Sequence, residues 1–146
     1  MRILVTGSRA WQDVDAIVDA LDEAYFGSQC QEPVTVVHGG CPDGADIMAA
    51  AWIRRTRDAG WAITEERHPA DWQKHGKAAG FRRNAEMVDA GADLCLAFIN
   101  PCSKRGCPDP QPHGSHGASH TADLAEKAGI PVRRFPARDT RGGDAA

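Results

Sequence analysis

The amino-acid sequence predicts an α/β fold in which helices cover a parallel sheet of about five strands. Short apolar runs alternate along the chain with segments whose apolar residues recur at helical spacing. Three predicted helices end in the same Ala-Gly pair, at residues 59–60, 90–91 and 128–129, and another apolar run follows each pair closely. Strands and helices that alternate with such short links are typical of right-handed βαβ units in one parallel sheet.

The individual elements follow from the apolar pattern. The second strand reads VTVV, and such a continuous β-branched run is expected when a parallel strand is covered on both faces. The first helix is predicted from Val14, because apolar residues recur on one face as far as Tyr25, and Gly27 and Ser28 end it. Strands are predicted at residues 2–5, 34–37, 62–64, 94–99 and 132–135, and helices at 14–25, 43–59, 77–90 and 119–128.

Length and composition indicate one globular domain. A chain of 146 residues is large enough to bury a hydrophobic core. We expect the domain to occupy residues 1–136, with a Cys-, Pro- and His-rich loop at 100–117 inside it and a flexible tail at 137–146. The net charge of −3 gives no general attraction to nucleic acids or anionic membranes, so a phosphate site would have to be local.

The number of cysteines and the N-terminal residues indicate the cellular compartment of the protein. The chain has five cysteines, an odd number, and its N-terminus lacks the apolar stretch of a signal peptide. No apolar run approaches the length of a membrane span. These features predict a cytoplasmic protein with reduced thiols and no membrane association.

The residues that suggest chemistry follow the predicted strands. Ligands of open parallel sheets bind beyond the carboxyl ends of the strands, near the point where the strand order reverses. The first cluster, Thr6-Gly7-Ser8-Arg9, follows the first strand. Gly7 would let the backbone approach a ligand, Ser8 offers a hydroxyl, and Arg9 offers a guanidinium suited to phosphate. The alternative is a tight turn with an exposed arginine.

The second cluster follows the second strand and places paired glycines before a predicted helix start. Free backbone N–H groups and the positive end of a helix favour an anion at such a loop. Asp46 either caps the helix, holds a ribose hydroxyl or orients Arg9. The candidate ligand-binding residues of this cluster are Gly39, Gly40, Asp43, Gly44 and Asp46.

The third cluster opens the predicted helix at 77–90. Arg82 and Arg83 lie near a helix N-terminus, where the helix dipole disfavours cations, and this placement suggests a bound anion. Trp72 would stack on a base, unless it is a packing residue. A solvated basic turn is the other interpretation. The candidate ligand-binding residues here are Trp72, Lys77, Arg83 and Asn84.

The fourth cluster precedes the last predicted helix, where a glycine loop again meets a helix N-terminus. Ser119 or Thr121 would cap this helix, and His120 is either an acid–base group or a polar loop residue. The candidate ligand-binding residues are Gly117, Ser119, His120 and Thr121.

Together these motifs resemble the YspA-like branch of the SLOG superfamily. This Rossmann-like group includes the LOG-type cytokinin-activating phosphoribohydrolases and the DprA-type DNA-processing proteins. The resemblance extends from Arg2 to about Phe135 and is carried by residues 6–9, 38–40, 44–46, 69–72, 76–80, 83–84, 117 and 120–121. It implies a single Rossmann-like three-layer domain that binds a nucleotide-derived ligand.

The phosphoribohydrolases of this superfamily use an arginine on the third helix and a glutamate in a glycine-rich loop. Arg83 looks like the counterpart of that arginine, whereas Thr121 stands where the glutamate would be. Cleavage of an N-glycosidic bond needs a carboxylate to stabilise an oxocarbenium-like centre or to activate water. We take Arg83 and Asp123 as candidate catalytic residues, with Glu86 and Asp46 as alternative carboxylates.

The sequence therefore favours a domain that binds or senses a nucleotide or a nucleotide-derived phosphorylated ligand. The alternatives are a nucleoside 5′-monophosphate phosphoribohydrolase and a module associated with DNA processing. The acidic charge and the lack of an aromatic-basic stripe count against a nucleic-acid partner. No cofactor is expected, and the alanine-rich helices permit a homo-oligomer.

The loop at 100–117 carries one further alternative. Cys102, Cys107, His113 and His116 are spaced C-x4-C-x5-H-x2-H and would suit zinc. The spacing departs from the usual C-x2-C patterns, so a flexible insertion without metal is the leading expectation.

Overall fold

The computed structural model describes residues 1–27, 33–111 and 113–136. Its five strands are all parallel and lie in the order β3-β2-β1-β4-β5, which confirms the predicted α/β fold. The strands are β1 (Arg2–Gly7), β2 (Val34–His38), β3 (Ile63–Arg67), β4 (Leu94–Ile99) and β5 (Val132–Pro136). The helices are α1 (Val14–Gly27), α2 (Ala45–Asp58), α3 (Trp72–His75), α4 (Ala79–Asp89) and α5 (His116–Lys127), with a 3-10 turn at Gly76–Ala78.

Alternate residues of the strands pack on opposite faces of the sheet, and this alternation creates three layers. On one face, Ile3 and Val5 of β1 pack against α1 and α2 in the larger core. On the other face, Leu4 packs against α4 and α5 in a smaller core that contains Met87 and Ala125. The sheet is thus covered on both sides, as the apolar second and fourth strands predict.

Glycine backbone geometry sets several helix boundaries. The three Ala-Gly pairs end their helices as predicted, since Gly60, Gly91 and Gly129 have φ values of 95°, 87° and 83°. The predicted helix at 77–90 begins later, at Ala79, because residues Gly76–Ala78 form a 3-10 turn. Gly76, with φ 56°, ends α3 before this turn. Similarly, α2 begins at Ala45 and not at Asp43, because Gly44 adopts φ 71°.

The last helix begins earlier than predicted, at His116 with Ser115 as its N-cap, and no side chain caps it. Ser119 and Thr121 therefore lie inside the helix and do not cap it. Ser28 and Cys30, and the predicted tail at 137–146, lie outside the described residues. Within the described ranges, we find no helix that combines the length and apolarity needed to span a membrane.

An ion-pair network ties the start of β1 to β3. The guanidinium of Arg2 donates to both carboxylate oxygens of Glu66, at 2.9 and 2.8 Å, and His68 Nε2 lies 2.8 Å from the same carboxylate. These partners favour the ionised form and lower the pKa of Glu66 from 4.5 to about 2, with the Arg2 hydrogen bond as the largest cause.

This network predicts a specific loss of stability in acid. Because the pKa of Glu66 is about 2 in the folded protein and 4.5 without its partners, its stabilisation is complete above the higher value and is lost as the pH falls toward the lower one. Urea denaturation across this pH range should show a steeper decline for the wild type than for Glu66→Gln. Glu86→Gln on the exposed face of α4 is the matched control, and an equal change of slope in both variants would contradict the prediction.

Candidate ligand-binding site

A cleft of about 710 Å³ opens at the carboxyl ends of β1 and β4. The chain runs from β1 outward through β2 to β3 and then returns to β4 on the other side of β1, so this is the point where the strand order reverses. The cleft is lined by residues 5–10, 100–104 and 115–118, and by parts of the loop after β2 and of the segment 72–87. The sequence-predicted residues that line it are Gly7, Ser8, Arg9, Gly39, Asp46, Trp72, Lys77, Arg83, Asn84 and Gly117.

The lining of this cleft is strongly cationic. Four cationic side chains line it, and Asp46 is the one carboxylate among the described lining residues. The chain as a whole carries a net charge of −3, so positive charge is concentrated locally. The cations are Arg9, Lys77, Arg83 and Lys104. Lys104 was not predicted as a site residue, because nothing in the sequence shows that its loop folds back over the sheet edge.

Arg83 is held in place by backbone oxygens and by its neighbour on α4. Its Nη1 donates to the Gly39 carbonyl at 2.8 Å and, more weakly, to the His68 carbonyl at 3.4 Å. Its Nε donates to Asn84 Oδ1 at 2.8 Å, and Asn84 in turn donates to the Gly117 carbonyl at 3.4 Å. Nη2 takes part in none of these bonds, so a fixed guanidinium presents one nitrogen for a further acceptor.

Asp46 lies in the first turn of α2 but does not cap that helix. Its Oδ2 accepts from the Cys41 backbone N–H at 3.1 Å and so anchors the preceding loop. The side chain is buried, with the residue 7% exposed. Burial raises the pKa of Asp46, because desolvation outweighs the loop hydrogen bonds and the charge of Arg83. A buried carboxyl beside an arginine is a candidate for binding a ribose hydroxyl or for proton transfer.

His38 belongs to the motif that carries the family resemblance, but it was not among the predicted ligand-binding residues. It is 1% exposed, and its Nε2 lies 2.7 Å from Glu65 Oε2. Because its Nδ1 accepts from the Gly40 N–H at 3.0 Å, the Nε2 carries the hydrogen that Glu65 accepts. The signal was present in the sequence, since His38 directly precedes the paired glycines. Its hydrogen bond fixes Gly40, the second of these glycines, in place.

Ser8 joins three elements at the base of the cleft. It is 6% exposed, its Oγ accepts from the Asn100 N–H at 2.9 Å, and it shares a hydrogen bond with the Ser115 hydroxyl. The hydroxyl predicted to face a ligand is thus used to connect the end of β1 with the end of β4 and the start of α5.

The missing side chains of Gly7 and Gly39 make room for different neighbouring groups. A Cβ on Gly7 would overlap the Ala45 side chain and lie 3.0 Å from the Phe98 carbonyl oxygen. A Cβ on Gly39 would overlap the Arg83 guanidinium and lie 3.0 Å from Asp46 Oδ2. Gly7 was predicted to give room to a ligand, but α2 occupies that room.

Two exposed aromatic rings flank the cations. Trp72 is 50% exposed, and the Arg9 guanidinium carbon lies 5.6 Å from its ring centroid. Phe81 is 48% exposed and meets His120 edge to face, with ring centroids 4.7 Å apart. Exposed rings in a cleft are suited to stacking against a planar ligand.

Several predicted residues do not line the cleft. Thr121 is fully buried and donates to the Gly117 carbonyl at 3.2 Å, one helical turn back. Asp123, the candidate catalytic carboxylate, pairs with Arg134 of β5 at 2.9 Å, because its position on α5 directs it to the surface beside that strand. The other predicted residues outside the lining are Gly40, Asp43, Gly44, Ser119 and His120.

The four residues of the alternative zinc site are brought together. One ligand atom from each of Cys102, Cys107, His113 and His116 lies within 4.8 Å of all the others.

The sequence was compared with known protein families. Residues 1–75 match the YspA, cpYpsA-related SLOG family. The chain belongs to this family. The assignment confirms the resemblance inferred from the strand-end motifs and covers the first three strands with their loops.

Two individual proteins were also found similar. The Gene 61 protein of Mycobacterium phage D29 is 44% identical over 138 residues, which cover 92% of this chain and 95% of that protein. A crystal structure of DesIV, a dTDP-glucose 4,6-dehydratase from Streptomyces venezuelae with NAD and TYD bound, has 13% sequence identity and a TM-score of 0.39. That match covers 93% of this chain but only 55% of DesIV, and it is too distant to support any functional comparison.

The two glycines predict different consequences of adding a methyl group. Gly7→Ala places the methyl against a packed helix and a backbone carbonyl, neither of which can move aside easily, so we expect a loss near the upper end of the roughly 1–3 kcal/mol that overpacking costs. Gly39→Ala displaces only a side-chain end, so we expect a loss of about 1 kcal/mol, the value of a typical hydrogen bond. Urea denaturation of both variants measures the difference. Equal losses would contradict the assignment of the two contacts.

Proposed function

We propose that this protein binds a nucleotide or a nucleotide-derived phosphorylated ligand in the cleft, as a binding or sensing domain. The observation that carries the proposal is the charge of the lining, in which four cations face one carboxylate. An acidic protein that concentrates cations in one cleft is suited to a small anion, whereas a long polyanion would also meet the negative charge elsewhere.

The start of α5 supports phosphate recognition. Ser115, His116, Gly117 and Ala118 line the cleft, and no side chain caps this helix. Its first N–H groups therefore lack an intrahelical partner and carry the positive end of the helix dipole. A phosphate beside them would accept from backbone N–H groups while Arg83 or Lys104 balances its charge.

The aromatic rings and the volume support a nucleoside portion. A cleft of about 710 Å³ lies in the size range of small-molecule sites. Trp72 and Phe81 offer exposed ring faces or edges for a base, and stacking of this kind is tolerant of base identity. Asp46 is the lining carboxylate that would accept from a ribose hydroxyl.

Binding is tested with a matched pair of arginine variants. A thermal-shift screen of nucleoside monophosphates, cyclic nucleotides, ADP-ribose derivatives, ribose 5-phosphate and inorganic phosphate selects the ligand, and calorimetry measures its Kd. Arg83→Ala should weaken binding about 10- to 150-fold, because hydrogen bonds to charged groups contribute about 1.5–3 kcal/mol. Arg82→Ala, an exposed neighbour outside the cleft, should stay within about twofold of the wild type because surface charges are screened.

Two outcomes would contradict the proposal. One is the failure of every compound in the screen to bind. The other is an equal loss of affinity in the two variants, which would show that general charge, and not the fixed guanidinium of Arg83, is recognised.

N-glycosidic cleavage of a nucleoside monophosphate is a second candidate function. It is favoured by one observation, the buried Asp46 carboxyl beside Arg83 within the cleft, since burial raises the pKa of this carboxyl, which is the direction that favours proton transfer. Asp46 takes the place of Asp123 as the candidate carboxylate, because Asp123 is paired with Arg134.

Chromatography of free base after incubation with nucleoside monophosphates tests this second function. Release should be abolished by Asp46→Asn and retained by Asp89→Asn, a control at the exposed end of α4. No release across the panel would remove the enzymatic function and leave ligand binding unaffected.

A further inference from the structure

The segment between β4 and α5 brings together two thiols and two imidazoles. We propose that Cys102, Cys107, His113 and His116 form a structural Zn²⁺ site. The four ligand atoms lie within 4.8 Å of one another, although the residues span 15 positions. Three of them lie in the segment before α5, whose described residues form no helix or strand, and His116 begins α5. Two thiols and two imidazoles that converge on one point form the Cys₂His₂ donor set that zinc prefers.

Four of the six distances between the ligand atoms match those of a tetrahedral zinc site. With Zn–S of about 2.3 Å and Zn–N of about 2.0–2.1 Å, the sulfur and nitrogen atoms of a tetrahedron lie about 3.5 Å apart and two nitrogens about 3.3 Å apart. The Sγ atoms of Cys102 and Cys107 each lie 3.4 Å from His116 Nε2. Cys107 Sγ lies 3.5 Å from His113 Nε2, and the two Nε2 atoms are 3.3 Å apart.

The surroundings of His113 prepare its ring for a metal. Its Nδ1 donates to the Gln111 carbonyl at 2.7 Å, so Nδ1 carries the hydrogen and the lone pair of Nε2 is free. That Nε2 is the atom in the cluster. A metal-bound histidine commonly makes such a bond through its other nitrogen, because the bond fixes both the tautomer and the orientation of the ring.

The backbone places the two arms of the segment side by side. Pro101 and Gly114 form an antiparallel bridge, and the Cys102 N–H donates to the His113 carbonyl at 2.7 Å. The turn between the two cysteines is closed by the Cys107 N–H, which donates to the Lys104 carbonyl at 3.2 Å, with Gly106 at φ 79°. These contacts bring a cysteine from one arm opposite a histidine from the other.

The segment has no hydrophobic core of its own to hold it. None of the described residues from Asn100 to Gly117 is buried. A loop of this length that adopts one conformation needs another source of order, and in small metal sites binding of the ion supplies it.

The donor set identifies the ion and its role. Thiolate and imidazole together favour zinc, whereas magnesium and calcium require oxygen ligands. Four protein ligands complete a tetrahedron and leave no open position, which is typical of structural and not of catalytic zinc.

The metal site would also order one wall of the cleft. Cys102 and His116 line both, and Lys104 lies in the turn between the two cysteines. His116 is the first residue of α5, so the ion would fix the helix N-terminus that faces the cleft. This consequence rests on the proposed function, whereas the zinc site itself does not.

Metal analysis of the purified protein tests the proposal. Protein without an affinity tag is purified in reducing buffer without added metal. Elemental mass spectrometry should then find about one zinc ion per chain. The double variant Cys102→Ser/Cys107→Ser should lose it. Cys41→Ser, a partly exposed thiol outside the cluster, should retain it. Cobalt substitution should produce the visible bands of a tetrahedral, thiolate-ligated ion in the wild type and not in the double variant.

Chelation distinguishes a loop site from general unfolding. Removal of the ion from the wild type should increase hydrogen exchange at 100–117 and leave the protection of β1 and β4 unchanged. These measurements involve no nucleotide, so their outcome is independent of ligand binding. Three results would each overturn the proposal. The protein contains no metal and gives no cobalt bands, or zinc remains bound in the double variant, or the purified protein contains a Cys102–Cys107 disulfide.

Discussion

The close approach of α2 to the end of β1 is the contact on which the cleft depends. Gly7 leaves no Cβ, so Ala45 packs directly on the strand, and Gly44 fits beneath the carbonyl oxygens of Ser8 and Arg9. This contact fixes the loop that joins β2 to α2, because Asp46 in the first turn of the helix holds the Cys41 N–H. A bulkier strand end would push the helix, its loop and the neighbouring cationic wall outward together.

On the other side of β1, hydrogen bonds connect the ends of β1 and β4 with the start of α5. The Ser8 hydroxyl connects the Asn100 backbone with the Ser115 side chain, and Asn84 connects Arg83 with the start of α5. The cleft therefore lies between one wall set by a glycine contact and another set by buried hydroxyl and amide groups. The Ser8 hydroxyl and the Asn84 amide are buried and hydrogen-bonded, and buried polar groups that are satisfied in this way make a network rigid.

The sequence predicted the fold better than it predicted the roles of site residues. Apolar runs and Ala-Gly helix ends depend on local physics, so all five strands and the three glycine ends could be located from them. Gly7 could make room either for a ligand or for a packed helix, and only the folded structure shows that α2 packs there. Lys104 and Phe81 were missed for the same reason, since only the folded chain shows that they line the cleft. Asp123 was misplaced because its partner Arg134 is 11 residues away on another element.

The proposed metal site and the proposed ligand site are compatible because of their charges. Two thiolates balance the charge of one Zn²⁺, so a Cys₂His₂ centre adds no net charge beside the cleft. Anion recognition would then remain with the four cations and with the N–H groups of α5, which the ion positions without competing for the ligand. Loss of the ion would release the turn that carries Lys104 and the first turn of α5 while leaving Arg83 bound to the Gly39 carbonyl. The two walls of the cleft are thus held by separate means, and disorder in one need not propagate to the other.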